Sequence, residues 1–149
     1  MKRLVLLLVA FVCLVSYSAS YVEAQSAKRK AVNTGQPNGL FSSAIVTGNL
    51  VYTSGQIGID PKTQQMAEGM EAQLEQVFRN LTAVLEASGS SIEHVVKATV
   101  FLADMNDYNK MNELYRKQFK GDPPARSTVQ VARLPRDARI EIEVVAVLK

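Results

Sequence analysis

The stretch MEAQLEQVFRNLTAVLEASGSSIEHVVKATVFL, residues 70–102, decides the fold class. Met70, Leu74, Val77, Phe78, Leu81, Val84 and Leu85 recur at offsets of three and four, which puts them on one face of an α-helix. Ser88-Gly89 ends that helix, because glycine accepts the left-handed conformation of a helix stop. From Val95 to Leu102 the run is β-branched and apolar, the composition of a central strand.

Upstream, Ala44-Ile45-Val46 and Leu50-Val51-Tyr52-Thr53 are β-rich runs separated by Thr47-Gly48-Asn49, which reads as a tight hairpin turn. Ser54-Gly55-Gln56 closes the second of these strands where the backbone can approach another group closely. Asp60-Pro61-Lys62-Thr63 is a turn. Downstream, Asp104 or Asp107 is placed to cap a second helix, whose face carries Met111, Leu114, Tyr115 and Gln118. Pro123-Pro124 forbids its continuation. Ser127 to Arg133 alternates Thr128, Gln130 and Ala132 against Val129 and Val131. After the turn Leu134-Pro135-Arg136-Asp137, Arg139 to Leu148 forms the last strand, with Ile140, Ile142 and Val144 opposing Glu141, Glu143 and Val145. The order is ββαβαββ, an α+β fold with two helices on one face of one sheet. The other face carries apolar positions too, and oligomerisation is its simplest cover.

The chain of 149 residues begins with material of another kind. Lys2 and Arg3 precede an almost wholly apolar run from Leu4 to Val15, and Val22-Glu23-Ala24 offers small residues at the cleavage positions. That is the layout of a secretory signal peptide over residues 1–24, and the run is short for a membrane span of roughly 20 residues. Cleavage leaves an arm over 25–38 and one domain over 39–149, so the protein is expected to be secreted and free of the membrane. Without Lys2, Arg3 and Glu23, 15 basic residues face 13 acidic ones, a net of +2. Such a charge gives no electrostatic mandate for nucleic acid, and Lys28-Arg29-Lys30 reads as a solvated part of the arm. The single cysteine, Cys13, lies in the signal, so the domain has neither a disulfide nor a thiol nucleophile. One histidine, His94, cannot build a structural zinc site and reads as a surface or capping residue.

A serine–histidine–acid triad would need His94, and no nucleophile elbow accompanies it. No glycine-rich phosphate loop is present either. What remains is Arg126, fixed behind Pro123-Pro124 at the start of a strand, where its planar fork of donors suits a carboxylate. Glu141 is the second candidate, on the face of the last strand opposite Ile140 and Ile142, where a carboxylate at a subunit boundary can hold a water. On the residues alone, an ordinary salt-bridged strand-end arginine is the plainer account of Arg126, and a solvent-facing partner for Arg139 or Arg133 is the plainer account of Glu141.

Ser54-Gly55-Gln56-Ile57, Lys97 to Met105, Pro124-Ala125-Arg126-Ser127, Val131-Ala132-Arg133-Leu134-Pro135 and Ile140-Glu141-Ile142-Glu143 together resemble the landmarks of the RidA/YjgF family. The resemblance spans roughly Gly39 to Leu148. It implies a chorismate-mutase-like homotrimer with clefts between subunits, hydrolysing 2-imino and enamine acids to 2-keto acids and ammonia. It implies no metal and no cofactor. By position, Arg126 clamps the substrate carboxylate, Glu141 positions the attacking water, Ser54 and Gly55 line the pocket, and Asn112 matches a polar residue on the second helix. The chain departs at Gly39-Leu40-Phe41-Ser42-Ser43, where Phe41 lacks the hydroxyl of the family tyrosine, and at Thr128, where the family often carries cysteine. Phe41, together with secretion, keeps open a non-catalytic trimer that binds small acids or protein partners. A ribonuclease or translation inhibitor, also attached to the family, is disfavoured by the absence of any basic-aromatic surface run.

Overall fold

The computed structural model describes residues 28–34 and 39–149. The expected signal peptide, with the arm residues 25–27 and 35–38, lies outside the described residues. Helix α1, Gly69–Ala87, buries Met70, Leu74, Val77, Phe78, Leu81, Val84 and Leu85, the periodic set of the sequence. Its stop is the two-bond glycine motif: Gly89 has φ +85°, its N–H donates to Glu86 O at 3.0 Å, and Ser90 N–H donates to Leu85 O at 2.8 Å. Helix α2, Tyr108–Arg116, buries Met111, Leu114 and Tyr115.

The strands are β1 Lys30–Val32, β2 Ala44–Thr47, β3 Leu50–Thr53, β4 Gln56–Ile57, β5 Val95–Leu102, β6 Ala125–Gln130 and β7 Ile140–Val147. They form one sheet in the order β1-β2-β3-β7-β5-β6, with β4 pairing onto β7 beyond the end of β3. The β5–β6 pair is parallel and every other pair antiparallel. The right neighbours therefore come from far apart in the chain, and the last strand sits in the middle.

The expected ββαβαββ core is present, with two additions. Lys30–Val32, inside the expected arm, is not merely solvated: it pairs with Ala44–Val46, burying Val32. Gln56–Ile57 forms the short β4. The strand expected at Ser127–Arg133 starts and ends earlier, because its register follows β5, from Lys97↔Ala125 to Leu102↔Gln130. Asp104 caps only a short 3₁₀ turn, accepting from Asn106 N–H at 2.9 Å. Asp107 serves Arg139 instead, in a two-pronged ion pair that ties the start of α2 to the start of β7.

Both helices cover the face of the sheet that carries Ala44, Val51, Ala98, Val100, Ile140, Ile142, Val144 and Ala146. On the other face Tyr52, Val145, Thr99, Glu143, Phe101, Glu141, Ser127 and Val129 remain partly or fully exposed. That face mixes apolar and charged side chains and is uncovered in the single chain. Among the described residues, no helix is long and apolar enough to cross a membrane.

Candidate active site

The candidate residues fall into two groups. The first is built on β6 and α2. Arg126 pairs with Ala98 across the parallel ladder, so its side chain stands on the helix-covered face. There its Nη2 donates to Asn112 Oδ1 at 2.5 Å and its Nη1 to Met111 Sδ at 3.6 Å. Its Cζ lies 4.6 Å from the centre of the Tyr115 ring and 5.9 Å from that of Tyr108. Tyr108, Met111, Asn112 and Tyr115 are spaced by three and four, so one stripe of α2 makes all four contacts. Thr128, two residues along the same face, has a buried Oγ1 without a hydrogen-bond partner, and so does the Tyr115 hydroxyl. Burial pushes the Tyr115 hydroxyl up to about 12, against the lowering effect of Arg126. No carboxylate pairs with Arg126 among the described residues. The arginines that the sequence offered Glu141 pair elsewhere: Arg133 takes Asp137, and Arg139 takes Asp107.

The second group is built on β4, β7 and the loop before β2. Glu141 pairs with Phe101 and with Ile57, on the open face. The Gly55 backbone passes so close that a Cβ there would collide with the Glu141 carboxylate. This is the close approach expected at Ser54-Gly55. Ser54 Oγ donates to Ser42 O at 2.7 Å and Ser54 N–H to Ser43 O at 2.9 Å, which moors the loop carrying Phe41. Phe41 itself is 63% exposed. Burial raises the Glu141 carboxyl above its ordinary value, and the neighbouring Glu143 raises it further. A half-buried carboxyl whose proton affinity is raised in this way is better suited to accept a proton than a solvated one.

The structure thus brings Arg126, Asn112 and Thr128 together, and separately Ser54, Gly55 and Glu141. It does not bring the two groups together, since Arg126 and Glu141 face opposite sides of one sheet. His94 is elsewhere, its Nδ1 2.9 Å from Ser91 Oγ at the start of β5. Tyr115 and Tyr108 were missed as partners of Arg126; their spacing with Asn112 on one helical stripe is the signal that would have found them. Among the described residues no three His, Cys, Asp or Glu side chains gather in a way that could hold a metal ion.

Residues 19–148 match the family model described as Endoribonuclease L-PSP. The human protein 2-iminobutanoate/2-iminopropanoate deaminase is 42% identical over 123 residues, covering 80% of this chain and 90% of that protein. A RutC family protein of Pyrococcus horikoshii is 49% identical over 115 residues, covering 76% and 91% respectively. Among solved structures, RidA from the Antarctic bacterium Psychrobacter superposes with a TM-score of 0.76 at 41% identity, covering 80% of this chain and 99% of that one.

Proposed function

Because the chain belongs to the Endoribonuclease L-PSP family, the RidA/YjgF proteins, we propose that it is a hydrolytic deaminase converting 2-imino and enamine acids to 2-keto acids and ammonia. One observation carries this reading. Arg126 is half-buried, stacked on Tyr115 and tied to Asn112, yet no acid neutralises it among the described residues. A guanidinium prepared in this way and left without an anion suits a substrate carboxylate, which it holds by charge-assisted paired bonds.

In this reading the carboxylate docks on Arg126 and so fixes the neighbouring imine carbon. Water adds there through its oxygen while Glu141 takes up a water proton and passes it to the imine nitrogen, giving a carbinolamine. Its hydroxyl proton then passes by way of Glu141 to the amine, which leaves as ammonia while the C=O forms. The Ser54-Gly55 backbone lines the pocket, with Gly55 close against Glu141, and Thr128 offers its unpartnered hydroxyl to the substrate or a water. By the family resemblance, the Phe41 ring takes the place of the family tyrosine, without the hydroxyl. Since Arg126 and Glu141 face opposite sides of their sheet, each site combines the Arg126 group of one subunit with the Glu141 group of another. The uncovered sheet face suits a homotrimer.

The test is ammonia release from imino acids generated in situ by an amino-acid oxidase. Each charged hydrogen bond from Arg126 is worth roughly 1.5–3 kcal/mol, so Arg126→Ala should lower activity by about two orders of magnitude or more. Lysine should not rescue it, because a point charge lacks the planar fork. Full activity in a folded Arg126→Ala protein would end this mechanism. Phe41 supports the second reading, a non-catalytic trimer that binds small acids: wild-type protein that binds a 2-keto acid but releases no ammonia selects it.

The apolar run behind Lys2 and Arg3 supports export as well. N-terminal sequencing of the mature protein should begin at Gln25; an intact Met1 would refute it.

A further inference from the structure

We propose that Tyr115 is the positioning residue for Arg126, a reading that rests on the carboxylate-binding role given to Arg126 above. The guanidinium carbon stands 4.6 Å from the centre of the Tyr115 ring, within the range of a cation–π contact. That ring is itself closely packed. Tyr115 is 4% exposed, and it meets Phe78 with ring centres 5.6 Å apart and Phe119 with ring centres 5.0 Å apart. Phe78 belongs to α1, so the platform under Arg126 is anchored in both helices.

The edge of the guanidinium is held as well. Asn112 and Met111 take one N–H from each terminal nitrogen, and an arginine has five. The remaining donors are left in a fixed plane for a ligand. An arginine free in solution pays conformational entropy when it grips a carboxylate; one already stacked and tethered pays little of it at the binding step.

The Tyr115 hydroxyl sharpens the assignment. It is buried without a partner, so it contributes nothing to packing that phenylalanine would not. The ring is the working part. With the hydroxyl pushed up to about 12, chiefly by burial, the ring stays neutral and the contact is that of a cation on an uncharged aromatic face. A tyrosine serving only the core would affect stability and leave affinity alone, whereas a positioning tyrosine acts on affinity through Arg126.

The experiment compares wild type, Tyr115→Phe and Tyr115→Met. It measures kcat and KM on imines generated in situ, together with the Kd of 2-oxobutanoate, a stable keto acid carrying the same carboxylate. Methionine fills the space without a π face. It should raise KM and Kd about tenfold, with kcat within about threefold of wild type, and phenylalanine should rescue both constants. A folded Tyr115→Met protein with wild-type KM and Kd would overturn the proposal, as would a phenylalanine variant impaired as much as methionine. If the methionine variant does not fold, the wild-type NMR spectrum decides. Arg126 δ-methylene and Nε–H protons shifted upfield by the ring support the stack, and random-coil shifts refute it. The two readings fail separately. Full activity in Arg126→Ala removes the carboxylate role itself, whereas loss of activity there beside a neutral Tyr115→Met removes only the positioning role.

Discussion

The backbone of Gly55 runs directly under the Glu141 carboxylate: a methyl group on Gly55 would overlap Oε1 and crowd Cδ and Cγ behind it. Glycine is required there for clearance and not for its dihedral angles. Because the obstacle is the end of a flexible side chain, Gly55→Ala should push Glu141 aside and leave the fold intact. Displacing a catalytic group by about 1 Å can cost on the order of a hundredfold in rate, so kcat should fall by that order with the melting temperature nearly unchanged. Gly58→Ala makes the contrast, because its new Cβ would stand 2.7 Å from the Gln73 Cα, which belongs to helix backbone. That variant should lose stability first, as thermal denaturation would show.

Opposite placement of Arg126 and Glu141 makes a prediction about mixtures. Arg126→Ala and Glu141→Gln should each be nearly inactive alone. Unfolded together and refolded as a mixture, in the proposed trimer, about a quarter of the shared sites regain both native residues if each site draws on two subunits. Ammonia release should recover to that order. A mixture as inactive as its parents would show that one chain supplies both groups.

Glu141 also carries a pH signature. Its carboxyl is raised in the folded state, by burial first and by Glu143 second. A raised acid leaves stability undiminished below the ordinary glutamate value of about 4.3 and subtracts from it as pH climbs through the folded value. Glu141→Gln should therefore melt at a higher temperature than wild type at pH 7 to 8 and converge with it near pH 4, while its turnover falls more than its substrate binding. Melting curves that diverge in acid and meet at neutral pH would contradict the sign.

Asn80 opens a glycosylation sequon, Asn80-Leu81-Thr82, in a chain proposed to be exported. Its Nδ2 donates both hydrogens inward, to Ile57 O at 3.1 Å and Ile59 O at 2.9 Å, and its Oδ1 accepts from Gln76 at 2.8 Å. The nitrogen that would carry a glycan is spent on holding β4 to α1. Mass spectrometry of secreted protein should find Asn80 bare, and Asn80→Ala should cost about 3 kcal/mol for the three lost bonds. A glycan on natively folded protein would overturn this.

How far the chain could be read in advance depends on where each element gets its order. Helix α1 and its glycine stop are local, written in spacing and in Gly89, and both were legible. Strands β1 and β4 are short segments that become strands only because β2 and β7 lie beside them, and no periodicity within three or two residues announces that. The ends of β6 were misplaced for the same reason: they are set by β5, nearly thirty residues upstream. Glu141 could be assigned to the outer face because Ile140 and Ile142 alternate with it. Arg126 could not be assigned a face, since Ala125, Ser127, Thr128 and Val129 give an edge strand no clear inside. The division of the site between two faces was invisible for that reason.

The central position of β7 bears on how the protein is made. Its residues, Ile140–Val147, join β3 and β4 on one side to β5 on the other. Before that strand is in place, the chain has a hairpin at one end, a parallel pair at the other, and nothing between them. The sheet closes only when this late strand docks, so its two halves depend on one segment to become a single unit. Removing the last ten residues should leave no smaller folded protein, only two halves without their shared strand.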